Sequence, residues 1–192
     1  MPPKVKISKN DIIETTLRLV QERGSDAINA RSIASALGCS TQPIFSNFES
    51  MEDLEESVLI AAYERYCGFI AAELESGQYP RYKSFGMAYI RFAKEEKELF
   101  KLLFMCDRQG KEFVATEDFD ASVEIIMEAN GITREMAQLI HLEMWVCVHG
   151  IAVMRATSFF SPEWELISRI LTDVYFGIRE KHIREEKADG CN

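Results

Sequence analysis

The 192-residue sequence is poor in the residues that break or staple a chain. Proline occurs five times and glycine ten times, so long uninterrupted helices are expected. The five cysteines, at 39, 67, 106, 147 and 191, are odd in number and scattered, with no Cys-x-x-Cys pair. That argues against a disulfide framework and against a zinc cluster. Most read as small buried apolar residues, and Cys191 as a loose tail thiol. No apolar run approaches the ~20 residues that span a bilayer, and Met-Pro-Pro-Lys-Val-Lys leads into polar sequence rather than a signal core. A cytoplasmic location without a membrane partner is expected. No P-loop, Gly-x-Gly-x-x-Gly or ordered Ser/His/Asp set occurs, and pairs such as Glu55-Glu56 read as solvated faces. Neither enzyme activity nor a cofactor is expected. Alternating strand patterns and internal repeats are missing too.

What is present is an ordinary globular composition, 47% hydrophobic and 28% charged, with enough chain to bury a core. The net charge of −9 looks wrong for a nucleic-acid partner until it is divided. Residues 1–48 carry six Lys or Arg against four Asp or Glu; the remainder carries sixteen against twenty-seven. A slightly basic end would face a polyanion and an acidic bulk would stay away from it. A solvated basic face explains a few lysines equally well.

Hydrophobic spacing predicts an all-α chain of about nine helices, three of them short. Lys4, Lys6 and Lys9 form a basic arm. Ile12, Ile13, Thr16, Leu17 and Val20 mark a first helix that stops at Arg23-Gly24. Asn29 is placed to cap a second, with Ile33, Ala34 and Leu37 inward, ending on a left-handed Gly38. Ser40 is expected to cap a third with Ile44, Phe45 and Phe48 as its apolar side, and Ser50 a fourth, whose Glu52 and Asp53 suit a helix start. Two amphipathic helices follow Gly77-Gln78-Tyr79-Pro80, then a polar loop from Asp107 to Lys111. A helix opened by Thr116 ends at Asn130-Gly131. Thr133 opens a long one, apolar on several faces, and Ser161-Pro162-Glu163 starts the last.

Residues 29–48 form a short helix, a tight Gly38-Cys39-Ser40 turn and a second short helix, the outline of a helix-turn-helix. Such a unit lays its second helix in the major groove, N-terminal residues against base edges. Thr41 and Gln42 stand there; glutamine pairs with adenine, and threonine offers a hydroxyl and a methyl. A plain helical corner has the same outline.

This stretch resembles the tetracycline-repressor-like (TetR/AcrR) family of bacterial transcription regulators. The likeness runs from Ile12 to about Leu54: Ile-Ile-x-x-x-Leu-x-Leu, Glu-Arg-Gly at 22–24, Ser-Ile-Ala at 32–34, Leu-Gly-Cys-Ser at 37–40 and Ile-Phe-x-x-Phe at 44–48. It implies a homodimeric regulator on a palindromic operator, usually a repressor released by a small ligand. The division it implies is a DNA-binding domain over 1–48 and a helical ligand-binding and dimerisation domain over 49–192. Carried over by position, Asn29 and Arg31 would lie beside phosphates. Ser40, Thr41, Gln42, Phe45, Ser46 and Asn47 would lie on or near the recognition helix. Two positions depart from the family: Phe45 stands where a tyrosine commonly reaches phosphate, and Met51 where a lysine commonly opens helix four. With Glu49, Glu52 and Asp53 around it, that corner is acidic.

The rest of the chain is rich in aromatic residues and Met. Helix spacing favours core for most of them, yet Phe85, Tyr89, Phe92, Phe104, Trp145 and His149 also describe the wall of a pocket for an apolar or aromatic effector. His141 and His149 lack further ligands at telling spacing, so hydrogen-bonded histidines are expected instead of a metal. Trp164, Ile167, Leu171, Val174 and Ile178 step by three, four, three and four, the spacing of a helix-helix seam. The resemblance implies that this seam is the dimer interface; packing within the monomer has the same spacing. The rival reading of the whole chain is a helical dimeric interaction or small-molecule-binding protein with weak or lost DNA binding, and the acidic corner is its best support.

Overall fold

A computed structural model of the chain describes residues 7–106 and 116–189. Lys4, Lys6, the expected polar loop at 107–111 and Cys191 lie outside the described residues. Among those described, the fold is all-α, with nine α-helices, one short 3-10 turn and no strand. The elements are α1 (Lys9–Arg23), the turn Ser25–Ala27, α2 (Ala30–Ala36), α3 (Gln42–Asn47), α4 (Met51–Ser76) and α5 (Arg81–Glu95). They continue through α6 (Lys97–Phe104), α7 (Thr116–Asn130), α8 (Arg134–Ala156) and α9 (Trp164–Asp189).

Most starts are written in local chemistry. Ser8 and Asp11 close a reciprocal capping box on α1, at 3.1 and 2.8 Å. The Ser8 hydroxyl and amide beside Asp11 hold its carboxyl below the ordinary value. Asn29 accepts from the Ser32 amide at 2.9 Å, Ser50 from Asp53 at 3.2 Å and Thr133 from Met136 at 3.3 Å. Two expected starts are corrected. Thr41 flanks α3 with no side-chain cap, so Ser40 does not open it. The α9 ladder begins with the Ile167 amide on the Glu163 carbonyl at 3.0 Å, two residues beyond Ser161. The reason is nearby: the Pro162 carbonyl accepts from Arg155 Nη1 at 2.6 Å, which ties that segment to the end of α8.

The described residues fall into two compact units, 7–68 with 95–106, and 69–94 with 116–189. The first takes in the early part of α4 and all of α6 besides α1–α3. Its buried set includes Ile12, Val20, Ile33, Ile44, Phe48, Leu54, Val58, Leu99 and Leu103, and the Phe104 ring meets Tyr66 edge-on at 5.4 Å.

In the second unit Val123, Ile126, Ala137 and Ile140 form a core cluster, with Tyr82, Phe119, Tyr175 and Ile178 against it. Met87, Ile90, Phe92, Ile151, Ile167 and Leu171 are buried as well. By length and composition α8 is apolar enough to cross a bilayer, with a window of mean hydropathy 1.4. Its polar residues show what it does here. His141 and His149 bond to α5 tyrosines, and Glu143 bonds to His182 of α9 at 2.9 Å. It is the central helix of the second unit.

Candidate nucleic-acid interface

The helix-turn-helix is built by burial on one side and a left-handed turn between its helices. Ile33 and Ala34 of α2 and Ile44 of α3 face inward, and Phe48 closes α3 from below. Gly38 takes φ +66° with open space around it, so glycine is there for the backbone conformation alone. The Cys39 amide returns to the Ala34 carbonyl at 3.0 Å and completes the turn.

With the inner side settled, the outer side follows. Asn29, Arg31, Ser40, Gln42, Phe45 and Ser46 are exposed, and Thr41 and Asn47 half-buried. Not all of their polar groups point outward. The Ser46 hydroxyl donates to the Gln42 carbonyl at 2.9 Å, and the Asn47 amide to the Pro43 carbonyl at 2.7 Å. Asn29 is already the cap of α2, a use its spacing announced.

The acidic corner has a structural account that sequence reasoning missed. Asp53 accepts the Glu49 amide at 3.0 Å while its own amide bonds Ser50, a capping arrangement for α4. Its other oxygen lies 3.9 Å from Lys9 Nζ, and that ammonium sits 4.7 Å above the Phe48 ring. One carboxylate therefore anchors α4 to the start of α1. Lys9, expected in a phosphate-seeking arm, is engaged in this corner.

A profile of the tetR family of bacterial regulatory proteins matches residues 12–58, the span just described. A second, for the tetracyclin repressor-like C-terminal domain, matches residues 82–173. The chain belongs to the TetR family. It is a helix-turn-helix DNA-binding transcriptional regulator. An uncharacterized HTH-type transcriptional regulator of Mycobacterium tuberculosis (strain ATCC 25618 / H37Rv) is 22% identical over 163 residues, covering 79% of this chain and 72% of that protein.

In the regulator's second unit the expected pocket residues divide. Tyr89, Trp145 and His149 come together: the Tyr89 hydroxyl and His149 Nδ1 are 2.9 Å apart, and the imidazole stacks on the Trp145 indole at 5.0 Å. Burial lowers the His149 pKa and raises that of Tyr89, which keeps both neutral. Phe85 is half-buried. Phe92 is wholly buried with Phe69 edge-on at 5.3 Å, a core position. Phe104 belongs to the first unit, between Tyr66 and Phe100. A second pair repeats the motif, Tyr82 with His141 at 2.9 Å, and burial pushes His141 down to about 4. Among the described residues no group of three or more His, Cys, Asp or Glu could hold a metal ion.

The residues of the expected seam on α9 divide. Ile167 is fully buried within one chain and Leu171 is 3% exposed. Ile178 packs on the Val123–Ile140 cluster. Trp164 lies under two guanidinium groups, Arg91 at 4.8 Å and Arg155 at 4.5 Å, and Val174 is half-buried. Ile167, Leu171 and Ile178 lie on the face α9 turns into its own unit, while Trp164 and Val174 keep part of their surface. Among the described residues of this unit, exposed apolar side chains include Leu139, Leu142, Trp145 and Val146 of α8, Phe159 and Phe160 after it, and Phe176 of α9.

Proposed function

We propose that this regulator is a cytoplasmic, ligand-released repressor that binds a palindromic operator as a homodimer. The observation that carries the dimer is the exposed apolar stripe of α8, Leu139, Leu142 and Val146, with Phe176 on the helix that follows. Steps of three and four along α8 put these side chains on one face. Contiguous apolar surface of this kind marks an association site, and a two-fold axis would cover it with its own copy. Two recognition helices would then read two half-sites about 34–36 Å apart or a multiple of that.

On the DNA side, Asn29 and Arg31 would lie at phosphates. Ser40, Thr41, Gln42, Phe45, Ser46 and Asn47 would lie on or beside the groove, where the outward groups of α3 support the reading. For the effector, Tyr89, Trp145 and His149 support a small aromatic or apolar molecule, bound by stacking and one neutral hydrogen-bonding pair. Its action requires unequal affinity for the DNA-bound and free states.

Fluorescence anisotropy with a duplex enriched by the protein from a random library tests the first half, and sedimentation of the free protein tests the second. A palindromic consensus and a micromolar or tighter dimer are expected. A monomer bound to a single asymmetric site would refute it.

A further inference from the structure

We propose that Phe45 determines operator specificity by reading the 5-methyl group of a thymine. The inference rests on α3 being the recognition helix and adds the base feature it recognises. Ile44 and Phe48 are buried at 0% and 2%, which fixes the rotation of this six-residue helix. The opposite side presents Gln42, Phe45 and Ser46. Two potential readers are already occupied: the Ser46 hydroxyl and the Asn47 amide donate to carbonyls of their own helix. What remains outward from α3 is one amide, on Gln42 at its first position, and one phenyl ring.

That ring is 54% exposed, and the fold makes little use of it. The cation that caps an aromatic in this corner, Lys9, lies over Phe48 instead. Lacking a hydroxyl, Phe45 has nothing to donate to a phosphate. The major groove, however, carries an apolar group of its own, the thymine methyl. Gln42 and Phe45 are three apart, so their side chains are neighbours at about 5–6 Å, while base steps rise about 3.4 Å per strand. An adenine paired with Gln42 and a thymine methyl under Phe45 therefore fall about one or two base steps apart. The surface is suited to an A·T-containing site, read by one bidentate hydrogen bond and one apolar contact.

The test uses the full-length protein and its library-enriched duplex, with each thymine replaced in turn by deoxyuridine, which removes only the methyl. One thymine per half-site is expected to matter, with affinity falling about four-fold for each methyl lost from a buried contact. In Phe45→Ala the same replacement should have no effect, and in Phe45→Tyr, which keeps the ring, the loss should persist. Phe45 is exposed, so both variants should melt like the wild type. Indifference of the wild type to every uracil overturns the proposal. So does an equal loss in Phe45→Ala, which would assign the methyl to another residue. Failure of the library to enrich any duplex would instead refute the recognition-helix reading itself, and the proposal with it.

Discussion

Replacing Leu171 by alanine separates monomer packing from dimerisation in the last helix. Leu171 is 3% exposed, and its Cδ1 lies 3.5 Å from where a Cβ on Gly86 would stand. It thus packs toward the α5 backbone at Gly86, where the Val148 side chain of α8 reaches the same point, its Cγ2 3.2 Å away. Leu→Ala in such cores costs about 2–5 kcal/mol, more where the cavity cannot collapse; about 3–4 kcal/mol is expected here. For a chain of this size each kcal/mol moves Tm by about 2–4 °C, so Tm should fall by roughly 6–16 °C. The contrasting variant is Val146→Asp, at a position 61% exposed. It should alter the isolated fold by about 0.5 kcal/mol at most. Across a two-fold interface, however, it buries two unpaired carboxylates, and the dimer should weaken about 100-fold or more. Urea unfolding followed by circular dichroism, at two protomer concentrations, separates the effects, because association adds to apparent stability. Sedimentation gives the association constant. A Leu171→Ala protein that became monomeric while its unfolding free energy moved less than about 0.5 kcal/mol would refute the reasoning.

Asn29→Ala should destabilise the protein by about 1 kcal/mol through loss of the α2 cap, and a melting curve unchanged within error would show the cap to be idle. His141 has a folded pKa near 4 against about 6.5 in an unfolded chain, so as pH falls the unfolded state takes the proton first. Stability from this site should be full above about pH 6.5, decline below it and level off below about pH 4. The loss is about 2 kcal/mol once the ring's partial exposure is allowed for. His141→Gln should flatten that part of the urea-stability profile, and an unchanged profile would count against it. Met51→Lys places a cation at the half-buried first position of α4. It should steepen the slope of log affinity against log salt by about two for a dimer, and an unaltered slope would mean that position 51 does not face phosphate.

Local chemistry is what the chain wrote most legibly. The capping residues Asn29, Ser50 and Thr133 and the left-handed Gly38 and Gly131 all act within a few residues of themselves. Neighbours along the chain are enough to specify such contacts, and with them the helix-turn-helix and its family. Ser40 and Ser161 show the limit: each looked like a cap, but in the second case a carbonyl taken by Arg155 moved the start of α9. Asp53 shows it again, since its approach to Lys9 joined the start of α4 to the start of α1.

The sequence by itself determined the all-α class and the helix-turn-helix, because periodicity and capping are local properties. Only the tertiary structure decided which apolar stripe of the last helices is core and which is free. Steps of three and four say that a face is apolar, and they say so equally for a face turned inward and one turned toward a partner. Leu171 against α5 and Val146 in the open differ only in what the rest of the chain brings to them, a property of packing at long range along the chain.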